Sequence, residues 1–479
     1  MYEDVLYYAV DYGLSQGAVY VEARYHRHKG SEVVVRNGAV VGAGMMSKEG
    51  IGVRVVYGGA LAFSSTTDLT REGVRKAVDK ALSLARSSKP LVKWVHTLSE
   101  ERVGRSKYEV LVKEDFEDVH LEDKVKVLVG VWDELPKVLR EAKLTSLFEE
   151  YIEVVEEKTL VSSDGAHVES KTPRVFYWAN MVLAHPQRGT LQRFIELGGS
   201  GGYEVFRSWR IRDYLEEEAR NIEPVLLKGV EPPREPVDVV VGSEVVGLIV
   251  HESAGHPMEA DRIWGREAAQ AGESYVKPEM IGRGRIGNQN ATVIDDPTIP
   301  GSYGFYLYDD EGVPARPRYI YYKGIINEPL HNRWSAAVFG TNSNAAARAM
   351  DFASEPLVRM ANTYLEPGDR TFEELIEDVE LGIYVKSYME WNIDDIRWGQ
   401  RYVGLESYMI RRGELAEPVL YPALEFTTKS FYSSIAAKGK ELRFYAATCG
   451  KGEPAQGVPV WAGGPDVRLS RMLVGVAPK

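Results

Sequence analysis

Residues 246–261 read VGLIVHESAGHPMEAD, and the way this stretch packs decides the architecture of the half of the chain that holds it. Ser243 is placed to cap a helix whose first turn carries Glu244. Val245, Val246, Leu248, Ile249 and Val250 are apolar all around that helix, so it belongs inside a core. His251, Glu252 and His256 fall at its end, where an unpartnered imidazole or carboxylate is costly. Zinc-binding helices of the HExxH kind space their histidines four apart, whereas these are five apart. Five steps of roughly 100° leave the side chains about 140° apart around the axis. One π-type turn of roughly 4.4 residues brings them to within about 50°. Gly255 tolerates such a distortion and Pro257 prevents orderly continuation. The spacing predicts a distorted helix end on which both histidines can hold one ion.

Around this helix the sequence is rich in strands. From Tyr303 onward, Tyr- and Val-rich runs separated by Gly, Asn and Pro (GFYLYDDEG, PRYIYYKGIINE, DVELGIYVKSYMEW, VGLESYMIRRGELAEPV) predict a large, mainly antiparallel β domain with few helices. Towards the N-terminus an amphipathic helix precedes the alternating AVYVEARYH. Asn37-Gly38 then joins two β-rich runs as a type I′ hairpin, and Gly58-Gly59 joins a second pair. A helix follows from Asp68 to about Ala85. The expected division is an α+β domain at residues 1–92, a middle α+β domain at 93–228, and a C-terminal β-rich domain at 229–479, beginning near Pro232, Pro233 and Pro236. The run from Gly198 to Gly202 lacks the prompt helix and lysine of a phosphate loop, so it is read as a flexible connection or tight turn.

A chain of 479 residues with 44% hydrophobic content supplies sizeable cores. The formal charge of −12, from 58 basic against 70 acidic residues, opposes phosphate backbones and anionic membranes. Nucleic acid and membrane partners are not expected. The first residues lack the basic and apolar regions of a signal peptide, and no run approaches the roughly 20 apolar residues of a membrane span. A single cysteine, Cys449, excludes an intrachain disulfide and fits a cytoplasmic setting.

Two imidazoles alone do not hold catalytic zinc, which normally takes three protein ligands and keeps one position open. Cys449 is the first candidate for the third ligand, on a glycine-rich loop after the strand-like LRFYAA. His331, Asp261 and Glu259 follow it.

Beyond spacing, the chain resembles the TldD/PmbA family of metallopeptidases, on its TldD side. The resemblance rests on HESAGH, DDPTIPGSYGFYLYDDEGVPA, LHNRWSA, RMANTYLEPGD, CGKGEPAQGVPVWAGGPDVRL and the early GIGVRVVYGGALAFSSTTDLTREGVRKAVDKAL. It implies zinc bound by His251, His256 and Cys449, Glu252 as the catalytic carboxylate, and peptide substrates. It also implies paired subunits, either a homo-oligomer or a heterodimer with a related TldD/PmbA subunit.

These residue types define a zinc-dependent peptidase in which a zinc-bound water loses its proton to Glu252, which passes it to the leaving amine. The alternative for Glu252 is a structural pair with an arginine such as Arg262. His331, Asn362 and Thr363 are candidates for substrate binding. The alternative for the whole chain is a non-catalytic zinc-containing peptide-binding or maturation partner, which four protein ligands would favour.

Overall fold

The computed structural model describes residues 2–92, 95–267 and 272–477, and its fold is α+β. The expected boundary between residues 92 and 93 touches positions outside this set. The two glycine-bearing turns form as their φ preferences dictate: Asn37 and Gly38 lie at φ 50° and 74°, and Gly58 and Gly59 at 57° and 82°. They link Tyr20–Arg36, Ala39–Tyr57 and Ala60–Thr66 into an antiparallel meander.

The sheet does not stop there. Tyr20–Arg36 also pairs with Lys143–Ser162, which pairs with His167–His185, so one seven-stranded sheet carries both the first and the middle cores. Strands of up to 20 residues span about 65 Å, long enough to serve two sets of helices. Glu3–Ser15 and Arg71–Ser88 bury Leu6, Val10, Val74 and Val78 over one region. Leu121–Glu134 and Ile211–Lys228 bury Leu128, Val131, Leu215 and Ile222 over the other.

After residue 236 the described residues build two six-stranded sheets, a four-stranded one and a two-stranded one. Most strand pairs are antiparallel; Val237–Val241 with Leu381–Val385 and Asn362–Leu365 with Gln456–Gly464 are parallel. The helix Ser243–Val250 lies inside this domain. Val245, Val246, Ile249 and Val250 share one core with Val239 and Val241 of one sheet and with Leu365, Val458 and Val460 of the other. At Gly247 an added Cβ would stand 2.9 Å from the Ala462 backbone, so this glycine sets how closely helix and strand approach.

Three local readings differ from the structure. Gly242, not Ser243, is the N-cap, and the Ser243 N–H donates 2.7 Å to Asp466 from a distant strand end. GFYLYDDEG forms a buried loop, because Asp309 draws the backbone N–H groups of Glu311 and Val313 to its own carboxylate. Gly198–Ser200 close the strand Gly189–Ser200, and an added Cβ at Gly198 would meet Ala446 at 2.8 Å. Gly198 thus permits close packing against the strand Arg443–Lys451. Among the described residues, no helix is long and apolar enough to cross a membrane.

Candidate metal centre

The helix Ser243–Val250 runs directly into a π-helical turn, His251–Gly255, closed by the His256 N–H donating to the His251 carbonyl. The extra residue is absorbed there, as the spacing requires. The two imidazole rings meet edge on, with centroids 4.9 Å apart and planes at 81°. Gly255 has no room for a side chain, since a Cβ would lie 1.9 Å from Met360 Sδ.

Cys449 comes from the strand Arg443–Lys451, opposite Val458 in the neighbouring strand, rather than from the loop expected. Its Sγ is 3.4 Å from His256 Nε2, and one donor atom from each of His251, His256 and Cys449 lies within 4.8 Å of the others, all buried. A tetrahedral zinc site places nitrogen and sulfur ligands about 3.6 Å apart, given bond lengths of about 2.05 and 2.3 Å. His251 Nδ1 is buried without a hydrogen-bond partner among the described residues. Donor types and spacing both fit a zinc ion.

The electrostatics suit a thiolate. Burial alone would raise the Cys449 thiol, but His256, His251 and Arg359 hold it well below its ordinary value. Burial disfavours charge on His251 too, and the neighbouring sulfur nonetheless raises it. Arg359 also donates to the Cys449 carbonyl and, at 3.0 Å, to that of Gln456, which fixes the strand at the cysteine.

Behind His256 sits a carboxylate. Glu259 Oε2 lies 3.1 Å from His256 Nδ1 and accepts from Arg262 Nε at 2.6 Å, with Lys451 Nζ at 3.3 Å. Burial would raise this carboxyl, but Lys451, Arg262 and His256 keep it well below the usual range. Such a partner orients the ring so that Nε2 faces the thiol. Asp261 is taken by Lys451 at 2.7 Å. Glu259 and Asp261 thus support the cluster from behind, a role their order in sequence did not reveal.

Glu252 is buried and pairs with Arg397, not Arg262. It opens with His251, His256 and Cys449 onto a cavity of about 340 Å³. The far wall is the middle strand Gly189–Ser200, through Arg193, Phe194 and Glu196, with Tyr388, Trp391 and Tyr445 beside it. Arg193 clamps Glu244 of the helix at 2.6 and 2.9 Å and Glu218 at 2.6 Å, tying this wall to the π turn. Burial and the nearby Glu244 push Glu196 up to about 7.

His331, Asn362 and Thr363 are not brought to this cavity. The His331 ring lies 3.1 Å from Ser335 and packs on Phe339. Asn362 bridges Gly304, Asp296 and Ser302, and Thr363 donates 2.6 Å to Asp295. Their polar atoms serve the fold.

Residues 234–476 match the family model for the PmbA/TldA metallopeptidase C-terminal domain, 21–85 that for domain 1, and 114–223 that for the central domain. The chain belongs to the PmbA/TldD family. Among its relatives, the metalloprotease MJ0996 of Methanocaldococcus jannaschii is 28% identical over 94% of this chain and 95% of its own length. A metalloprotease of Methanothermobacter thermautotrophicus is 33% identical over 68% of each chain. A zinc metalloprotease TldD homolog of Saccharolobus solfataricus is 26% identical over 96% of this chain and 97% of its own. The fold matches TldE from Thermococcus kodakarensis with a TM-score of 0.77 at 16% identity, covering 98% of this chain and all of that one.

Proposed function

We propose that this PmbA/TldD-family chain is a zinc-dependent peptidase that hydrolyses peptide bonds in unstructured peptides. The observation that carries the proposal is the convergence of His251, His256 and Cys449 on one point beside Glu252, at the wall of one cavity. His251, His256 and Cys449 would hold the zinc, which when bound would supply Lewis acidity towards a peptide carbonyl and lower the pKa of a water to about 7. Arg397 engages Oε2 of Glu252, which leaves Oε1 to take the proton from the attacking water and deliver it to the leaving amine. Glu259 holds the His256 ring in position throughout, and Arg359 holds the Cys449 backbone.

A cavity of this size between the middle strand and the π turn suits a single extended chain better than a folded protein. A cytoplasmic, reducing setting suits a working thiolate ligand. The family resemblance and the likeness to a TldE fold support a paired assembly, homomeric or with a related subunit. Three ligands with a carboxylate beside them favour catalysis over a closed structural zinc in a non-catalytic partner.

The test is metal analysis of the purified protein together with digestion of an unfolded polypeptide and its folded form, with and without chelator. The expected result is one zinc at this centre, chelator-sensitive cleavage of the unfolded form only, and a Glu252→Gln variant that keeps zinc but loses cleavage by about 10²-fold or more. Full cleavage by Glu252→Gln would remove Glu252 from the mechanism. Zinc binding with no cleavage of any unfolded substrate would favour the binding-partner reading.

A further inference from the structure

A second set of metal-ligating side chains lies in the N-terminal half. His26 and His28 are two apart in the strand Tyr20–Arg36 and therefore share a face. His28 is paired in register with Glu156 of the strand Lys143–Ser162. His26 Nε2 lies 2.8 Å from Glu156 Oε1 and 3.1 Å from His28 Nε2, and His28 Nε2 lies 3.5 Å from the same oxygen. We propose that His26, His28 and Glu156 form a second metal site, for a borderline divalent cation such as zinc, distinct from the centre at His251, His256 and Cys449.

Three donors at these separations match the edges of a tetrahedral nitrogen and oxygen site, about 3.3 Å for metal–ligand bonds of about 2.0 Å. The two imidazoles meet edge on, with centroids 4.5 Å apart and planes at 68°, close to the arrangement of His251 and His256. The carboxylate is oriented from behind. Arg174 donates to Glu156 Oε2 and is itself fixed by the carbonyls of Tyr303 at 3.0 Å and Phe305 at 2.9 Å, which turns Oε1 towards the histidines.

His28 and Glu156 line a cavity of about 220 Å³, which offers a path for the ion and room for a water or anion as fourth ligand. The surroundings also set its strength. Lys158 lies 3.7 Å from Oε1 and pairs with Asp310 at 2.9 Å, while Arg174 and Arg348 add positive charge around the cavity. A dication is held there against these charges, so the site is weaker than the thiolate centre. An ion at this position cross-links the first strand of the chain to the middle unit.

The experiment uses the full chain, stripped of metal and titrated with cobalt(II) and zinc, with metal counted after gel filtration. Two ions per chain are expected, of which the tighter alone shows thiolate-to-cobalt absorption. Cys449→Ala loses that ion and keeps the weaker one. His28→Ala, at a partly exposed position, keeps the tight ion and loses the weak one or binds it at least about tenfold less well; the double variant His26→Ala/His28→Ala loses it fully. Thermal unfolding of each variant with the tight site loaded confirms that the fold is intact. One ion in the wild type, or a second ion unaffected in the His28 and double variants, overturns the proposal. Neither result bears on peptidase activity, which is read separately.

Discussion

Arg397 donates to the carboxylate of Glu252 from a turn in which its own backbone sits at φ 67°. A non-glycine residue in that region carries strain, and the surrounding structure holds it there: the Arg397 carbonyl accepts from Thr428 Oγ1 at 2.8 Å. The arginine thus positions the carboxylate that faces the cavity. Arg397→Met is expected to retain zinc, because no ligand is touched, while turnover of an unfolded substrate falls about 10–100-fold through misplacement of Glu252. Arg397→Lys should recover part of the loss. Zinc content and turnover measured on the same preparation check this, and unchanged turnover in Arg397→Met would show that Glu252 needs no such partner.

Glu259 makes a different prediction, about metal rather than rate. Its carboxylate faces His256 Nδ1 and gathers Arg262 and Lys451, so Glu259→Gln weakens the orientation of the ring and leaves two buried cations short of an anion. Zinc affinity should drop about 10–100-fold, with a lower melting temperature. Competition with a chromophoric chelator measures the first and thermal unfolding the second. If affinity is unchanged, His256 is oriented by its backbone alone.

Much of this centre was legible in the sequence because its decisive features are local. The five-residue step from His251 to His256, with Gly255 and Pro257 beside it, demands a π turn, and the turn is there. Asn37-Gly38 announces its hairpin for the same reason. What could not be read are the partners set by tertiary packing. Glu252 is met by Arg397 from 145 positions away rather than by nearby Arg262. Glu259, considered as a ligand, turns its carboxylate to the far side of the imidazole. His331, Asn362 and Thr363 are polar residues in distinctive motifs, yet their hydrogen bonds go to neighbouring buried segments of the fold. The one signal that could have found Glu259 is its position three residues after His256, within reach of the ring nitrogen that does not face the thiol.

Gly255 tests the π turn itself. A methyl group there would run into Met360 Sδ, so Gly255→Ala forces either the turn or the methionine to move. Overpacking of this kind costs about 1–3 kcal/mol, and a displaced turn separates the histidines. The variant should melt at a lower temperature and bind less zinc. Adding Met360→Ala opens the space, so the double variant should regain zinc and be less destabilised than the sum of the two single changes. Strict additivity would place the defect elsewhere.

His331 gives a pH dependence. Burial holds its imidazole down at about 4, below the ordinary 6.5, while Glu328 pulls the other way and loses. Between those values an unfolded chain binds a proton that the folded chain does not, so stability rises with pH across this window. The contribution is fully present above about pH 6.5 and is lost progressively as pH falls towards 4, on the order of 3 kcal/mol in all. His331→Gln cannot titrate and still offers Ser335 a partner. The wild-type melting temperature should therefore fall more steeply than that of the variant between pH 7 and pH 4.5, the two curves differing only by a constant packing offset above about pH 6.5 and departing from that offset towards the acid end. Buried groups common to both proteins cancel in the difference. Parallel curves across the whole range would mean that His331 takes up its proton without leaving the core.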